Sequence, residues 1–284
     1  MVETALTWID THVHWDAEAF DADRDAALRR ARLAGVTHCL NPSVTLSSAV
    51  TVQALATQSA TRADWPRILP AFGIHPLYVA AVKPDDLPQL DEWLRKYRPI
   101  ALGEIGLDAY AGAPDFGVQQ QVFEAQLELA AAHQLPVLLH SRHAVEAVIQ
   151  TLKRFQGRQQ KIPGGIAHAF NGSEVQATQL ISMGFLLGFG GSVTYDGSTR
   201  IRHLACHVPI ESIALETDAP DMSPAWLQGG RNESAELPKI ACMLAALRDV
   251  APAVLAQSVQ QNLHRLLGPD DKMMHAHTQT VSEL

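Results

Sequence analysis

Short runs of apolar residues alternate along the chain with longer segments in which apolar residues recur every three or four positions. The short runs predict β-strands at residues 6–10, 36–40, 67–74, 100–103, 136–140, 165–168, 185–189 and 212–216. The longer segments predict helices, and the fourth shows the pattern in Val118, Val122, Ala125, Leu129 and Ala132. Strict alternation of strands and helices is typical of a parallel sheet.

Eight strand–helix units in one chain of 284 residues favour a closed sheet. The predicted fold class is therefore α/β, a single (β/α)8 TIM-type barrel with its active site at the C-terminal ends of the strands. An open, doubly wound sheet is the alternative. We expect residues 1–268 to form this barrel domain. Residues 269–284 show no periodicity and are expected to be a flexible tail.

Composition and charge narrow the classes of protein further. An apolar fraction of 47% excludes a disordered chain, and the formal net charge of −8 argues against tight binding of duplex nucleic acid. Three scattered cysteines do not make a disulfide framework. The first residues lack a basic signal region, and no apolar run reaches the ~18 residues of a membrane span. We expect a cytoplasmic protein without membrane contact or an obligate protein partner.

Residue types that bind metals follow the predicted strands. The first strand ends in D-T-H-V-H, which places His12 and His14 on one face, where two imidazoles can chelate an ion. A histidine pair without a ligand role is the alternative for this motif taken alone. The later strands end in His75, Glu104, His140, His168 and Asp218. Because strand ends meet at one mouth of a barrel, this distribution predicts a metal centre.

These motifs also resemble a known family. D-T-H-V-H, G-I-H-P, G-E-I-G-L-D, L-H-S-R, H-A-F-N-G-S and L-E-T-D-A-P occur in the order found in the TatD family of metal-dependent hydrolases. E-T-D-A-P-D-M and G-G-S-V-T-Y are most similar to its YjjV-like branch. The resemblance spans residues 6–267 and implies a (β/α)8 barrel with divalent-metal deoxyribonuclease activity. One departure is R-N-E-S from Arg231, where the family has proline at the fourth position.

The resemblance implies two divalent metal ions per subunit. It places His12, His14 and Asp218 on one ion, His140 and His168 on the other, and Glu104 between both. A carboxylate shared by two cations ~3.5–4 Å apart lets a water between them lose a proton near neutral pH. We therefore assign catalytic roles to Asp218, as ligand and proton acceptor, and to Glu104. Such mixed nitrogen and oxygen ligands can bind Mg²⁺, Mn²⁺ or Zn²⁺, so the sequence leaves the identity of the metal open.

Three further residues are predicted to contact substrate. Arg142 follows His140 by two positions, where a guanidinium suits a phosphate; the alternative is a surface arginine that caps the next helix. Asn171 precedes a helix start that can bind an anion or be capped by Ser173 alone. His75 fits a substrate contact or a supporting hydrogen bond. We expect Asp10 and Glu216 to orient ligands, and Asp108 to be a loop carboxylate.

Three functions fit these residues. The first is hydrolysis of phosphodiester bonds at DNA ends, with the DNA or another phosphodiester bound weakly. The second is an amidohydrolase-like reaction on a small ester, amide or acyl-linked substrate, because the same activated water attacks a carbonyl. The third is a metal-binding module without activity, which the convergence of six ligands disfavours. The phosphodiesterase is the predicted function.

Overall fold

Eight parallel strands, paired in sequence order from the first to the eighth, form the centre of the molecule. The computed structural model describes residues 6–158 and 161–268, so the predicted tail at 269–284 lies outside the described residues. The strands are β1 (Trp8–Asp10), β2 (Val36–Pro42), β3 (Arg67–Phe72), β4 (Ala101–Gly106), β5 (Val137–His140), β6 (Gly165–Ala167), β7 (Phe185–Phe189) and β8 (Ile213–Leu215). Their side chains are almost entirely buried.

A helix follows each strand, as the alternation predicts. In chain order the α-helices are α1 (Arg24–Leu33), α2 (Leu46–Ser59), α3 (Asp86–Tyr97), α4 (Phe116–His133), α5 (Val145–Gly157), α6 (Glu174–Ser182), α7 (Thr199–His207), α8 (Leu237–Leu247) and α9 (Pro252–Leu267). The alternation does not predict α9 as a separate element; this helix packs against β1 and β8. This arrangement confirms the (β/α)8 barrel.

The barrel closes between β1 and β8 through the residues that follow these two short strands. The Thr11 amide donates to the Leu215 carbonyl oxygen over 3.0 Å, and the Asp218 amide donates to the His12 carbonyl oxygen over 2.8 Å. Val13 and Ala219 form an isolated parallel bridge beyond them. The seam therefore joins the backbone segments that carry the predicted metal ligands of β1 and β8.

The buried carboxylate of Asp10 fastens the same seam. It accepts hydrogen bonds from the Thr217 amide (3.0 Å), the Thr217 hydroxyl (2.6 Å) and the Ser234 hydroxyl (2.6 Å). Burial raises the pKa of Asp10 to about 6, although these hydrogen bonds favour the ionised form. Asp10 thus holds together β1, the segment after β8 and the loop before α8.

Strand β4 differs most from its predicted extent. The apolar run ends at Gly103, whereas the observed strand continues to Gly106 and includes Glu104. All six residues of the strand are buried, the carboxylate included. A glutamate inside a strand interrupts an apolar run, and this is why the pattern predicted an early end.

Helix α4 buries a face that is rotated from the predicted apolar stripe. Val118 is exposed, and the buried positions are Gln119, Val122, Phe123, Gln126, Leu127 and Ala130. The two glutamines are buried because each one pairs with both backbone groups of a loop residue. Gln126 accepts from the Ile74 amide (2.7 Å) and donates to the Ile74 carbonyl oxygen (3.0 Å).

Gln119 forms the equivalent pair with Asp108. Its side chain accepts from the Asp108 amide over 2.8 Å and donates to the Asp108 carbonyl oxygen over 2.9 Å. One helix thereby fixes the backbone of two loops, one after β3 and one after β4. These loops carry His75 and Asp108 at the C-terminal mouth of the barrel.

In the described ranges 6–158 and 161–268, no single helix is long and apolar enough to span a membrane. One pair of segments, Ser234–Leu247 and Pro252–Leu267, passes such a test only when the two are taken together across a bend of 107°.

The substitution Gln126→Leu tests the importance of the glutamine pairing. Leucine fills a similar volume but leaves the buried amide and carbonyl of Ile74 without partners, which should cost about 2–4 kcal/mol of unfolding free energy. Thermal unfolding followed by circular dichroism should show a loss of about 5 °C or more. Gln121→Leu, on the exposed face of α4, is the matched control and should change stability by less than about 0.5 kcal/mol. Equal effects of the two substitutions would contradict this role.

Candidate metal centre

Glu104 lies at the centre of a cluster of histidines at the C-terminal mouth of the barrel. Its side chain is buried, with 2% of the residue exposed. The nitrogen atoms nearest to Oε2 are His12 Nε2 (3.2 Å) and His14 Nε2 (3.6 Å), and those nearest to Oε1 are His140 Nδ1 (2.9 Å), His168 Nε2 (2.9 Å) and His75 Nε2 (3.4 Å). The two carboxylate oxygens therefore face two different sets of imidazoles.

The first set contains His12 and His14, which follow β1, and Asp218, which follows β8. The Nε2 atom of each imidazole lies 3.7 Å from Asp218 Oδ1. Together these three residues present ligand atoms close enough to share one ion. Asp218 has a φ of 55°, in the left-handed region that aspartate tolerates better than most residues. Such backbone conformations cluster at functional sites, where the surrounding structure holds them.

The second set contains His140, the last residue of β5, and His168, which follows β6. Their rings differ in the atom that faces Glu104, Nδ1 for His140 and Nε2 for His168. On the far side of the first ring, His140 Nε2 lies 2.9 Å from Asp108 Oδ2. A hydrogen bond from Nε2 to Asp108 would leave Nδ1 with the lone pair that a metal ion needs at the centre of the site.

Glu216 supports the second set from behind. Its Oε1 accepts from the Ala169 amide over 2.5 Å and lies 3.8 Å from His168 Nδ1. Gly188 leaves the space that this carboxylate fills, since a Cβ at that position would lie 2.2 Å from Glu216 Oε2. Burial raises the pKa of Glu216 to about 8, while the charge of His168 opposes the shift.

His75 lies next to Glu104 but is oriented as a hydrogen-bond donor. Its Nδ1 accepts from the Leu77 amide over 3.1 Å, so the neutral ring carries its hydrogen on Nε2. His75, Glu104 and His140 have ligand atoms close enough for one ion, yet this tautomer offers no Nε2 lone pair. The prediction that His75 contacts substrate stays a prediction, and its geometry suits donation to an oxygen.

The charges of the site are coupled. Burial alone would raise the pKa of Glu104, but the neighbouring His168 and His75 hold it well below its ordinary value. Burial lowers the pKa of His12 to about 3. For His14 and His168 the effect of burial is outweighed by Glu104 and Asp218, which raise the pKa values to about 9 and about 10. Protonated imidazoles of His14 and His168 are therefore favoured beside these two carboxylates.

The donor set fits divalent metal ions. Four imidazoles, those of His12, His14, His140 and His168, converge with the two carboxylates of Glu104 and Asp218, and buried charges are stable only when they are paired or bind metals. Nitrogen and oxygen ligands of this kind suit Zn²⁺ and Mn²⁺, and the carboxylates also suit Mg²⁺. The six residues predicted as ligands are thus brought together, and Asp108 joins them as a supporting carboxylate.

Two of the predicted substrate contacts lie outside this cluster, on exposed loops. The guanidinium of Arg142 lies over the ring of Tyr110, with Cζ 3.7 Å from the ring centroid. Asn171 Oδ1 accepts from Arg200 Nε over 3.0 Å, on the loop between β6 and α6. The position of Arg142, two residues beyond His140, keeps it at the mouth of the barrel. Asn171 has no contact with the ligands among the described residues.

Residues without a predicted role also hold the site. Asn232 is buried and donates through its side chain to the Thr217 and Asp221 carbonyl oxygens, over 2.9 and 3.0 Å. It therefore fixes the loop after β8 even though the sequence has Ser234 where the family has proline. The position of Asp108, four residues after Glu104, is the sequence signal for its supporting role, because a side chain there can reach a neighbouring strand end.

Comparison with known proteins gives matches over nearly the whole chain. The TatD related DNase family matches residues 9–268. An uncharacterized metal-dependent hydrolase, YjjV of Escherichia coli strain K12, is 34% identical over 262 residues, which cover 91% of this chain and 97% of that protein. The protein named 3'-5' ssDNA/RNA exonuclease TatD of Klebsiella pneumoniae strain 342 is 30% identical, with 92% and 98% covered. The crystal structure of E. coli YjjV superimposes with a TM-score of 0.84 at 33% identity, covering 92% of this chain and 98% of that one.

Metal binding should be coupled to proton release. The pKa values of His14 and His168 are about 9 and about 10, so pH 7 favours their protonated rings. Metal binding requires neutral rings. Mn²⁺ affinity should therefore rise with pH from 6 to 9. Calorimetric titration at pH 7, in two buffers of different ionisation enthalpy, should show net proton release. His203→Ala, far from the cluster, should release as many protons as wild type. Heats that do not depend on the buffer would contradict this charge balance.

Proposed function

Since this chain belongs to the TatD family of metal-dependent hydrolases, we propose that it hydrolyses phosphodiester bonds at nucleic-acid ends with two divalent ions. The observation that carries the proposal is the division of the Glu104 carboxylate between two ligand sets. One shared carboxylate between two ions is the arrangement used for in-line displacement at phosphorus. The name of the Klebsiella relative, an exonuclease of single-stranded DNA and RNA, supports the same substrate class.

Each ligand set would hold one ion. His12, His14 and Asp218 would bind the first, His140 and His168 the second, and Glu104 both. When bound, such ions supply Lewis acidity and a water of lowered pKa. Mg²⁺, Mn²⁺ and Zn²⁺ all suit the donors, and the first set is the better site for Mg²⁺ because it adds a second carboxylate.

The chain's own residues would then act on substrate and water. Asp218 is placed to accept a proton from the attacking water, and burial, the largest influence on it, raises its pKa and makes it a better acceptor. His75 Nε2, which lies 3.4 Å from Glu104 Oε1, would share its hydrogen bond between this carboxylate and an oxygen of the reacting group. Arg142 would bind the phosphate, because a guanidinium at the mouth can contact two oxygens at once.

The two-ion arrangement is tested by metal stoichiometry. His140→Ala removes one of the three proposed ligands of the second ion, which are His140, His168 and the shared Glu104. The ligands of the first ion remain complete. Titration of the metal-stripped protein with Mn²⁺, followed by electron paramagnetic resonance, should give two bound ions for wild type and one for the variant. Two ions in both proteins, or none in the variant, would show that the ligands are divided in another way.

Substrate class is tested by Arg142. Removal of a preorganised charge partner costs on the order of 10²–10³ in kcat, so Arg142→Ala should lose at least ~10²-fold on a single-stranded oligonucleotide. Hydrolysis of p-nitrophenyl acetate, which is neutral, should change far less. Arg142→Lys should restore only part of the rate, because an ammonium lacks the planar fork. The measurement is kcat/KM for both substrates at fixed salt and Mn²⁺.

Two controls complete this experiment. Glu104→Gln should be inactive on both substrates, which excludes a contaminating nuclease. Arg158→Ala removes an exposed arginine at the far end of α5 and should match wild type. Efficient hydrolysis of the neutral ester without any oligonucleotide cleavage would favour the amidohydrolase-like function instead. Equal, small losses on both substrates would remove Arg142 from the binding site.

A further inference from the structure

We propose that Tyr110 is a positioning residue for Arg142, which it holds flat at the barrel mouth so that the guanidinium meets the anionic group of the substrate. This inference rests on the proposed function, because it assumes an anionic substrate at that arginine. Tyr110 lies on the loop between β4 and α4, and Arg142 on the loop between β5 and α5. The stack therefore joins two loops that border the candidate metal centre.

The contact is close and open to solvent on its outer side. Arg142 Cζ lies 3.7 Å from the centroid of the tyrosine ring, which is 49% exposed. Within the described residues, no side-chain hydrogen bond or ion pair uses the guanidinium. The N–H groups at the edge of the planar guanidinium thus remain available to donate hydrogen bonds to a substrate. By contrast, Arg231 is paired with Asp23 (2.6 Å) and Arg202 with Asp196 (2.6 Å).

Tyr110 is itself fixed relative to the metal ligands. Its amide donates to Asp108 Oδ1 over 2.8 Å, and the other oxygen of the same carboxylate lies 2.9 Å from His140 Nε2. The Ala109 amide donates to the Arg142 carbonyl oxygen over 2.9 Å. A single carboxylate thereby sets the position of both a metal ligand and the ring under the arginine.

Physical chemistry explains the need for such a support. An exposed arginine has many rotamers, and ordering them on substrate binding costs free energy. A guanidinium stacked on an aromatic ring is partly ordered beforehand while its edge stays free for a bidentate contact. Tyrosine offers this face without a competing charge. The hydroxyl group is not needed for the role, so phenylalanine should serve as well.

The test compares Tyr110→Leu and Tyr110→Phe in the full-length, Mn²⁺-loaded protein. The leucine variant should lose about three- to tenfold in kcat/KM on the oligonucleotide, the range expected for loss of a cation–π contact. The phenylalanine variant should recover most of that loss. On p-nitrophenyl acetate both variants should stay within about twofold of wild type. Phe116→Leu, which removes another exposed aromatic ring at the start of α4, is the matched control and should have no effect.

A double-mutant cycle separates positioning from other roles. If Tyr110 acts through Arg142, the variant Tyr110→Leu/Arg142→Ala should lose no more activity than Arg142→Ala alone. Additive losses would overturn the proposal, because Tyr110 would then contact the substrate itself. Equal losses on the neutral ester would also overturn it, since they indicate a general disturbance of the loop.

A binding measurement keeps the test independent of the proposed activity. Inorganic phosphate, titrated calorimetrically into the Mn²⁺-loaded protein, should bind more weakly to Tyr110→Leu and to Arg142→Ala, with the same lack of additivity. If no phosphodiester is hydrolysed but this coupling is found, the proposed function fails and the role of Tyr110 stands. If oligonucleotides are hydrolysed and no coupling is found, the positioning role is wrong.

Discussion

The mouth of the barrel depends on one buried carboxylate that keeps its charge. Glu104 is almost fully buried. Imidazole nitrogens of histidines at the C-terminal ends of four other strands surround its two carboxylate oxygens. A buried carboxylate without such partners would take up a proton instead. Protonated rings of His14 and His168 are favoured beside Glu104, and metal ions would replace their protons.

Backbone pairing continues beyond the strands and carries the ligands with it. The bridge between Val13 and Ala219 closes the barrel next to His14 and Asp218. On the other side, the Leu107 amide donates to the His140 carbonyl oxygen over 3.1 Å. These contacts hold the loop starts with the same kind of backbone hydrogen bond as the sheet. A site built on such segments can hold its ligands without a metal ion, which lowers the cost of ordering when ions bind.

Polar side chains outside the site provide the next level of support. Gln119 fixes the backbone of Asp108, and Asp108 then orients His140 and Tyr110. Gln126 fixes Ile74, the residue before His75. None of these groups is a proposed ligand, yet each one determines the direction of a ring or a loop. Buried polar groups of this kind are stable because each one has hydrogen-bond partners inside the protein.

The pattern of apolar residues is enough to predict the alternation of strands and helices, and with it the barrel. The sequence also locates the ligand cluster, because the C-terminal ends of parallel strands must meet at one mouth, so that residues from His12 to Asp218 come together. Three features emerge only in the folded protein: the buried face of α4, the ring nitrogen that each histidine presents, and the stack of Arg142 on Tyr110. The physical reason is the range of the interactions. Apolar periodicity reports whether a position is buried among apolar neighbours, whereas Gln126 is buried by a hydrogen-bond partner 52 positions away that no local pattern contains.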